Sequence, residues 1–264
     1  MTDKKYATAK GVDFKYAKGE TDIYGNTFHH RFELYLLLEG NVTLITDHAR
    51  IALRPYQLAV ISPEQFHQFT VKGNIDDYER CVLNLDVDFI DPTILKNALS
   101  GKDLLTLSPD ERIVNNMLYL KEHLDGEKDS DMPYILPAVA TDIVFCVKNT
   151  ENSSKSSSGG IGMLSQEIMN HINSHYTEAI YLEALSKEFH VSISTLCHLF
   201  KKDFGITVKQ YIIQKRLNAA RFALNRGERS EEVCQKVGFT NYSAFFRLYK
   251  KQFGVSPSRS KEQI

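Results

Sequence analysis

The segment Leu199-Phe200-Lys201-Lys202-Asp203-Phe204-Gly205 recurs as Leu248-Tyr249-Lys250-Lys251-Gln252-Phe253-Gly254, a constant offset of 49 residues. The register extends upstream, where Ser194 pairs with Ser243, Leu196 with Phe245 and His198 with Arg247. Repeats of this period are duplicated supersecondary units, and two copies are too few for a solenoid. They suit two small helical modules placed side by side.

Each copy reads as a helix-turn-helix. In the first, Leu182, Leu185 and Phe189 make an apolar stripe at helical spacing. His190-Val191 supplies a short turn, and Ser192 caps the helix that follows by accepting from its free N–H groups. That helix turns Leu196, Leu199 and Phe200 inward and stops at Gly205 after a basic last turn. In the second copy, Val233 and Val237 form the stripe, Gly238-Phe239-Thr240 the turn and Asn241 the cap. Phe245 and Leu248 are the inward positions there, and Gly254 the stop. A short turn between two helices is the geometry that lets the second enter a DNA major groove. Between the modules, Val208 to Asn225 holds neither Gly nor Pro and places Ile213, Leu217, Ala220 and Leu224 on one face. The spacing predicts a single helix about 27 Å long. Such a rod can hold two reading helices near the ~34 Å repeat of successive major grooves.

Charge separates the two ends of the chain. Residues 161–264 hold 15 Lys+Arg against 9 Asp+Glu, whereas residues 1–160 hold 17 against 24, so a net charge of −1 hides a basic half and an acidic half. That asymmetry suits a nucleic-acid-binding module joined to something else, since clustered Lys and Arg displace counterions from phosphates.

The segment from Ile161 to Pro257 resembles the DNA-binding domain of AraC/XylS transcription regulators. The carrying residues are Leu182-Glu183-Ala184-Leu185-Ser186, Val191-Ser192, Leu199 to Lys202 with Gly205, Arg216-Leu217 with Ala220-Arg221, Gly238-Phe239, Phe246 with Tyr249-Lys250-Lys251, and Gly254 with Ser256-Pro257. It departs from the family pattern at Ser186, Ser230 and Cys234, and it lacks the closing Tyr-Arg. By this resemblance, base edges are met by Ser194, Cys197 and His198 in the first module and by Tyr242, Ser243 and Arg247 in the second. Arg247 suits bidentate contact with guanine. Lys201, Lys202, Lys250, Lys251 and Arg221 are phosphate holders or, equally, solvated surface charges.

The amino-terminal half reads differently. Alternating apolar runs at Glu33–Leu38, Val42–Thr46, Leu58–Ile61, Gln68–Val71 and Cys81–Leu85, punctuated by Gly, Pro, Asn and Asp, predict an antiparallel β barrel or sandwich. His29-His30-Arg31-Phe32-Glu33, then Gly40, then Pro63 with His67, resembles the cupin pattern of sensor domains in the same regulator family. A cupin metal site asks for two His and a Glu from the first motif and a His from the second. Thr27 stands where the first His would be, so no metal centre and no cofactor are expected. Strand alternation puts His29, Arg31, Glu33 and Tyr35 on one face and Phe32, Leu34, Leu36 and Leu38 on the other. With His67, that polar face either lines a pocket for an oxygen-rich, sugar-like effector or simply meets solvent.

After Asp91-Pro92 the pattern turns helical. Ile113, Met117, Leu120 and Leu124 form one stripe, and Ile135, Val139, Ile143 and Val147 another. Each stripe can cover the barrel or form a dimer seam, and the family resemblance favours the seam for at least one, with Met117, Leu120 and Leu124 its predicted members. A flexible linker follows, rich in Ser and Gly. The expected organisation is residues 1–150 as a sensing and dimerising domain, 151–160 as linker and 161–264 as the DNA-binding domain.

The four cysteines have no metal or redox spacing, the chain starts with a polar Met1-Thr2-Asp3-Lys4-Lys5, and no apolar run reaches membrane-spanning length. These features suit a cytoplasmic protein. No nucleophile with a base, acid–base pair or phosphate loop marks an enzyme. The sequence therefore predicts an α+β chain: a cupin-like barrel with helices, then an all-α domain of two helix-turn-helix modules joined by a linker helix. Its expected role is that of a transcription regulator, an activator before a repressor. Expected partners are double-stranded DNA, RNA polymerase, a small-molecule effector and a second copy of the chain, with no membrane. The competing reading is a metal-dependent cupin enzyme with a regulatory helical tail.

Overall fold

The computed structural model describes residues 3–20, 28–124, 131–153 and 161–263; Thr27 and linker residues 154–160 lie outside them. The chain divides into two compact units, Met1–Gly159 and Gly160–Ile264.

The first unit is built on antiparallel strands: β1 (Asp3–Ala9), β2 (Val12–Lys18), β3 (Arg31–Glu39), β4 (Asn41–Thr46), β5 (Arg50–Leu53), β6 (Gln57–Ile61), β7 (His67–Lys72), β8 (Glu79–Asp86) and β9 (Leu104–Thr106). Six of them form one sheet in the order β1-β2-β8-β3-β6-β9, and three form another in the order β5-β4-β7. The five strands legible as alternating runs are present. β1, β2, β5 and β9 are additional, although Val12, Phe14 and Tyr16 alternate inward along β2. The β1–β2 hairpin turns at Lys10 and Gly11, both with positive φ, as a two-residue loop matched to strand twist requires.

The period of two gives the central strands β3, β6 and β8 of the large sheet two buried faces. Phe32, Leu34, Leu36, Leu58, Val60 and Leu83 pack toward α1 (Pro92–Leu99), α2 (Arg112–His123) and α3 (Met132–Asn149). Tyr35, Leu37, Ala59, Ile61 and Val82 pack on the other side with Val42, Leu44, Ile51 and Leu53 of the small sheet. The helix stripes are consumed here. Ile113, Met117, Leu120, Ile143 and Val147 are fully buried, and Leu124, Ile135 and Val139 pack on the rim of the same core. This corrects the expectation that Met117, Leu120 and Leu124 form a dimer seam. The large sheet's apolar outer face needs a cover, and these helices supply it.

An ion cluster pins α2 to the sheet. Glu79 on β8 accepts hydrogen bonds from Lys18 (2.9 Å), Tyr16 (2.9 Å) and Lys121 (3.0 Å). Burial alone would raise the Glu79 pKa, but these three donors outweigh it and hold it below the ordinary carboxylate value. The folded state therefore binds this proton less readily than the unfolded chain. The associated stability is present above the ordinary glutamate pKa and is lost as pH falls through the depressed folded value. Glu79→Gln is expected to lower the melting temperature of this unit at pH 7 and to have a smaller effect at pH 3. Thermal melts at the two pH values test this, and an equal loss at both would contradict it.

The second unit comprises α4 (Met163–His175), α5 (Leu182–Glu188), α6 (Ile193–Phe204), α7 (Val208–Asn225), α8 (Ser230–Lys236) and α9 (Tyr242–Phe253), followed by a 3-10 turn at Pro257–Gln263. α7 is the single 18-residue helix its sequence predicts, opened by a reciprocal capping box between Thr207 and Gln210. Leu217, Ala220 and Leu224 of α7 pack with Val233, Val237, Phe245 and Tyr249 of the second module.

Candidate functional site

The α5–α6 and α8–α9 pairs are built alike. Ser192 Oγ accepts from the Thr195 amide at 3.0 Å, and Asn241 Oδ1 from the Ala244 amide at 2.9 Å, capping α6 and α9. Both helices end at a left-handed glycine, Gly205 (φ 73°) and Gly254 (φ 76°). The first helix of each pair also ends alike, with a left-handed residue at the second position past its end: His190 (φ 53°) after α5 and Gly238 (φ 91°) after α8. The next amide then closes back onto the helix, Val191 to Ser186 O and Phe239 to Cys234 O. The second turn is one residue longer, so the copies match at a spacing of 49 over α6 and α9 but of 48 over α5 and α8.

α7 fixes the two modules to each other. Arg216 donates from Nε to Tyr176 O and from an Nη to Glu178 O, both at 2.6 Å, in the loop that leads into α5. Gly238 sits against the same loop, where a Cβ would lie 2.5 Å from the Thr177 carbonyl oxygen. The resemblance includes Arg216 and Gly238 but assigns neither this joint, and no sequence spacing reveals it.

Ser194, His198, Lys201 and Lys202 on α6 are exposed, and Cys197 is half-buried. On α9, Ser243, Arg247, Lys250 and Lys251 are exposed. Tyr242 is half-buried, with its ring near Phe245 and Phe246 and its hydroxyl 3.0 Å from Ser230 Oγ, so Ser230 serves as its partner. Arg221 is on α7 rather than on either of these helices, with its guanidinium 4.8 Å from the ring centre of Phe253 at the end of α9. Cys234 directs its thiol to Phe239 O, and Ser186 donates to Glu183 O, so these polar positions are hydrogen-bonded within their modules.

In the first unit, the five residues of the polar face do not stay together. Arg31 is bound between the carboxylates of Asp13 and Asp86. Tyr35 is buried, stacked on Phe69 at 3.8 Å and paired through its hydroxyl with Tyr78 at 2.5 Å. His29, Glu33 and His67 do converge. Glu33 Oε2 lies 2.9 Å from His29 Nε2 and 3.7 Å from His67 Nε2. Each ring's Nδ1 faces a backbone carbonyl, Arg31 O for His29 (3.0 Å) and Gln65 O for His67 (3.1 Å). A carbonyl only accepts, so each Nδ1 carries the proton. Burial, against the pull of Glu33, pushes the His67 pKa down to about 4. Burial pushes Glu33 the other way, but His67, His29 and Lys15 together hold it down to about 2. The carboxylate is therefore ionised at neutral pH.

A family model described as a helix-turn-helix domain matches residues 185–263. The chain is 34% identical over 145 residues to the uncharacterized HTH-type transcriptional regulator YdiP of Escherichia coli, covering 53% of this chain and 48% of that one. It is 29% identical over 92 residues to the HTH-type transcriptional activator RhaS of Salmonella arizonae, covering 34% and 33%. The C-terminal domain of the two-component response regulator yesN of Fusobacterium nucleatum aligns at 31% identity, a TM-score of 0.35, and 36% and 95% coverage. The chain spans about half or less of the length of these curated relatives. The helix-turn-helix names of YdiP and RhaS, the family model and the two paired modules agree: residues 185–263 are a helix-turn-helix domain.

Proposed function

We propose that the chain is a sequence-specific transcription regulator in which the α6 and α9 faces read neighbouring major grooves of double-stranded DNA. The observation that carries this is the pair of capped, basic-ended helices held by one continuous α7. In this reading Ser194, Cys197, His198, Ser243 and Arg247 meet base edges, with Tyr242 contributing its ring edge. Lys201, Lys202, Lys250, Lys251 and Arg221 meet phosphates. Residues 1–150 sense a small molecule at the barrel and pair with a second copy, residues 151–160 tether, and residues 161–264 bind DNA. Effector binding then changes how the two tethered readers engage a promoter, and contact with RNA polymerase makes the chain an activator in the cytoplasm. The similarity to the transcriptional activator RhaS supports the activator reading. No helix among the described residues is long and apolar enough to cross a membrane.

Arg247→Ala is expected to cost ~1–3 kcal/mol and to relax specificity at one base position, whereas Lys251→Ala weakens all sequences alike and reduces the salt slope by about one unit. Titrations of the full chain against specific and random DNA at several salt concentrations separate the two. Equal losses on both DNAs for Arg247→Ala would remove it as a base reader.

A further inference from the structure

We infer that Arg216 is a positioning residue for DNA recognition: it ties the loop that enters the first helix-turn-helix to the turn of the second, and so sets the spacing and rotational phase at which α6 and α9 meet the duplex. The inference rests on the reading of both helices as base readers and adds what holds them in phase.

The contacts converge on one side chain. From the middle of α7, the Arg216 guanidinium donates to the carbonyls of Tyr176 and Glu178, in the loop between α4 and α5. A planar fork on two carbonyls fixes an orientation as well as a distance, which a single point donor cannot do. The same guanidinium lies 5.8 Å from the ring centre of Phe239, in the turn between α8 and α9. Phe239 in turn meets Phe245 of α9, ring to ring, at 5.3 Å. Backbone approaches backbone beside it, since Gly238 leaves no room for a Cβ against Thr177. One arginine thus touches the entrance of the first module and the turn of the second.

Toward its start, α7 packs on the first module, where Tyr211 meets Phe200 of α6 at 5.7 Å. Toward its end, Leu217, Ala220 and Leu224 pack with the second. Apolar packing is non-directional, so it holds each module to the rod without fixing how the module is turned about it. The directional tie is at Arg216. Each base pair inserted between two boxes moves the second by about 3.4 Å and turns it by roughly 34° around the duplex. Readers locked in phase lose the displaced box. Loosened readers re-aim and keep it, but bind the original spacing more weakly because they must be ordered on binding.

The test uses the full chain and a duplex that the parent chain selects from a random pool, alongside the same duplex with one base pair inserted between its two boxes. The parent is expected to lose about tenfold or more on insertion, the scale of forfeited base contacts. Arg216→Ala, first shown by circular dichroism to be folded, should bind the original duplex more weakly and lose only about threefold or less on insertion. Arg216→Lys keeps the charge but not the fork, and should fall between the two. Hydrogen exchange without DNA gives a second readout: Arg216→Ala should speed exchange in residues 176–181 and 237–241 and leave the buried turns of α6 and α9 as slow as in the parent. Scrambling either box should weaken the parent. If scrambling one box leaves its affinity unchanged, the two-reader reading fails and the exchange pattern alone decides the joint. Parent-like spacing selectivity in a folded Arg216→Ala variant, or in Arg216→Lys should the alanine variant not fold, would overturn the positioning role. Uniformly faster exchange from α5 to α9 would do the same, leaving an arginine that serves stability alone.

Discussion

Gly238→Ala is expected to destabilise the C-terminal unit by about 3 kcal/mol or more. Two costs combine. An alanine in the left-handed region costs ~1–2 kcal/mol, and Gly238 sits there at φ 91°. The added Cβ would also lie 2.5 Å from the Thr177 oxygen, 2.9 Å from the Thr177 carbonyl carbon and 3.0 Å from Arg216 Cζ. The oxygen and carbon belong to backbone and the guanidinium is tied by two hydrogen bonds, so none of the three moves freely. Overpacking of this kind adds ~1–3 kcal/mol. The matched experiment is His190→Gly, which removes the side chain from the equivalent left-handed position of the first module. It is expected to stabilise by up to about 1 kcal/mol. Urea unfolding of the full chain, followed through its helical signal, measures both. A loss below about 1 kcal/mol for Gly238→Ala would mean that the Thr177 loop yields, and that the two modules are not firmly joined there.

Leu120→Ala is expected to cost ~2–5 kcal/mol of stability in the first unit, the range for truncating a buried leucine. Leu120 is fully buried among the sheet and helices. The same residue at a dimer seam would act differently. Its replacement would shift the association equilibrium with protein concentration and leave the dilute chain's stability little changed. Denaturation at two protein concentrations therefore distinguishes the roles. A midpoint that moves with concentration in the parent chain, and not in the variant, would return Leu120 to an interface.

The helical half was legible because its determinants are local. Caps at Ser192, Thr207 and Asn241, stops at Gly205 and Gly254, and apolar positions at helical spacing all lie within one or two turns of what they specify. The β half was legible only where both signals agreed. β3 and β8 are strongly apolar, whereas β1 mixes lysines with small residues and β9 is three residues long. The helix stripes were read correctly as apolar, and the one of Met117, Leu120 and Leu124 was assigned the wrong partner, because a stripe does not say what covers it. The site was legible in part. His29, Glu33 and His67 converge across two sheets, while Arg31 and Tyr35 are drawn away by Asp13, Asp86 and Tyr78, partners far along the chain that no local pattern reveals. Arg216 likewise acts through loop carbonyls roughly 40 residues upstream, outside the reach of periodicity.

Strand β3 is a wall shared by two rooms. Glu33, Tyr35 and Leu37 furnish one side, and Phe32, Leu34 and Leu36 the other, where the covering helices rest. Close-packed interiors are nearly incompressible and pass small displacements on rather than absorbing them. A displacement of Glu33 is therefore expected to be passed on to Phe32 and Leu34, which pack against the helices. One strand thus joins the space between the two sheets directly to the packing of the helices on the far side of the large sheet.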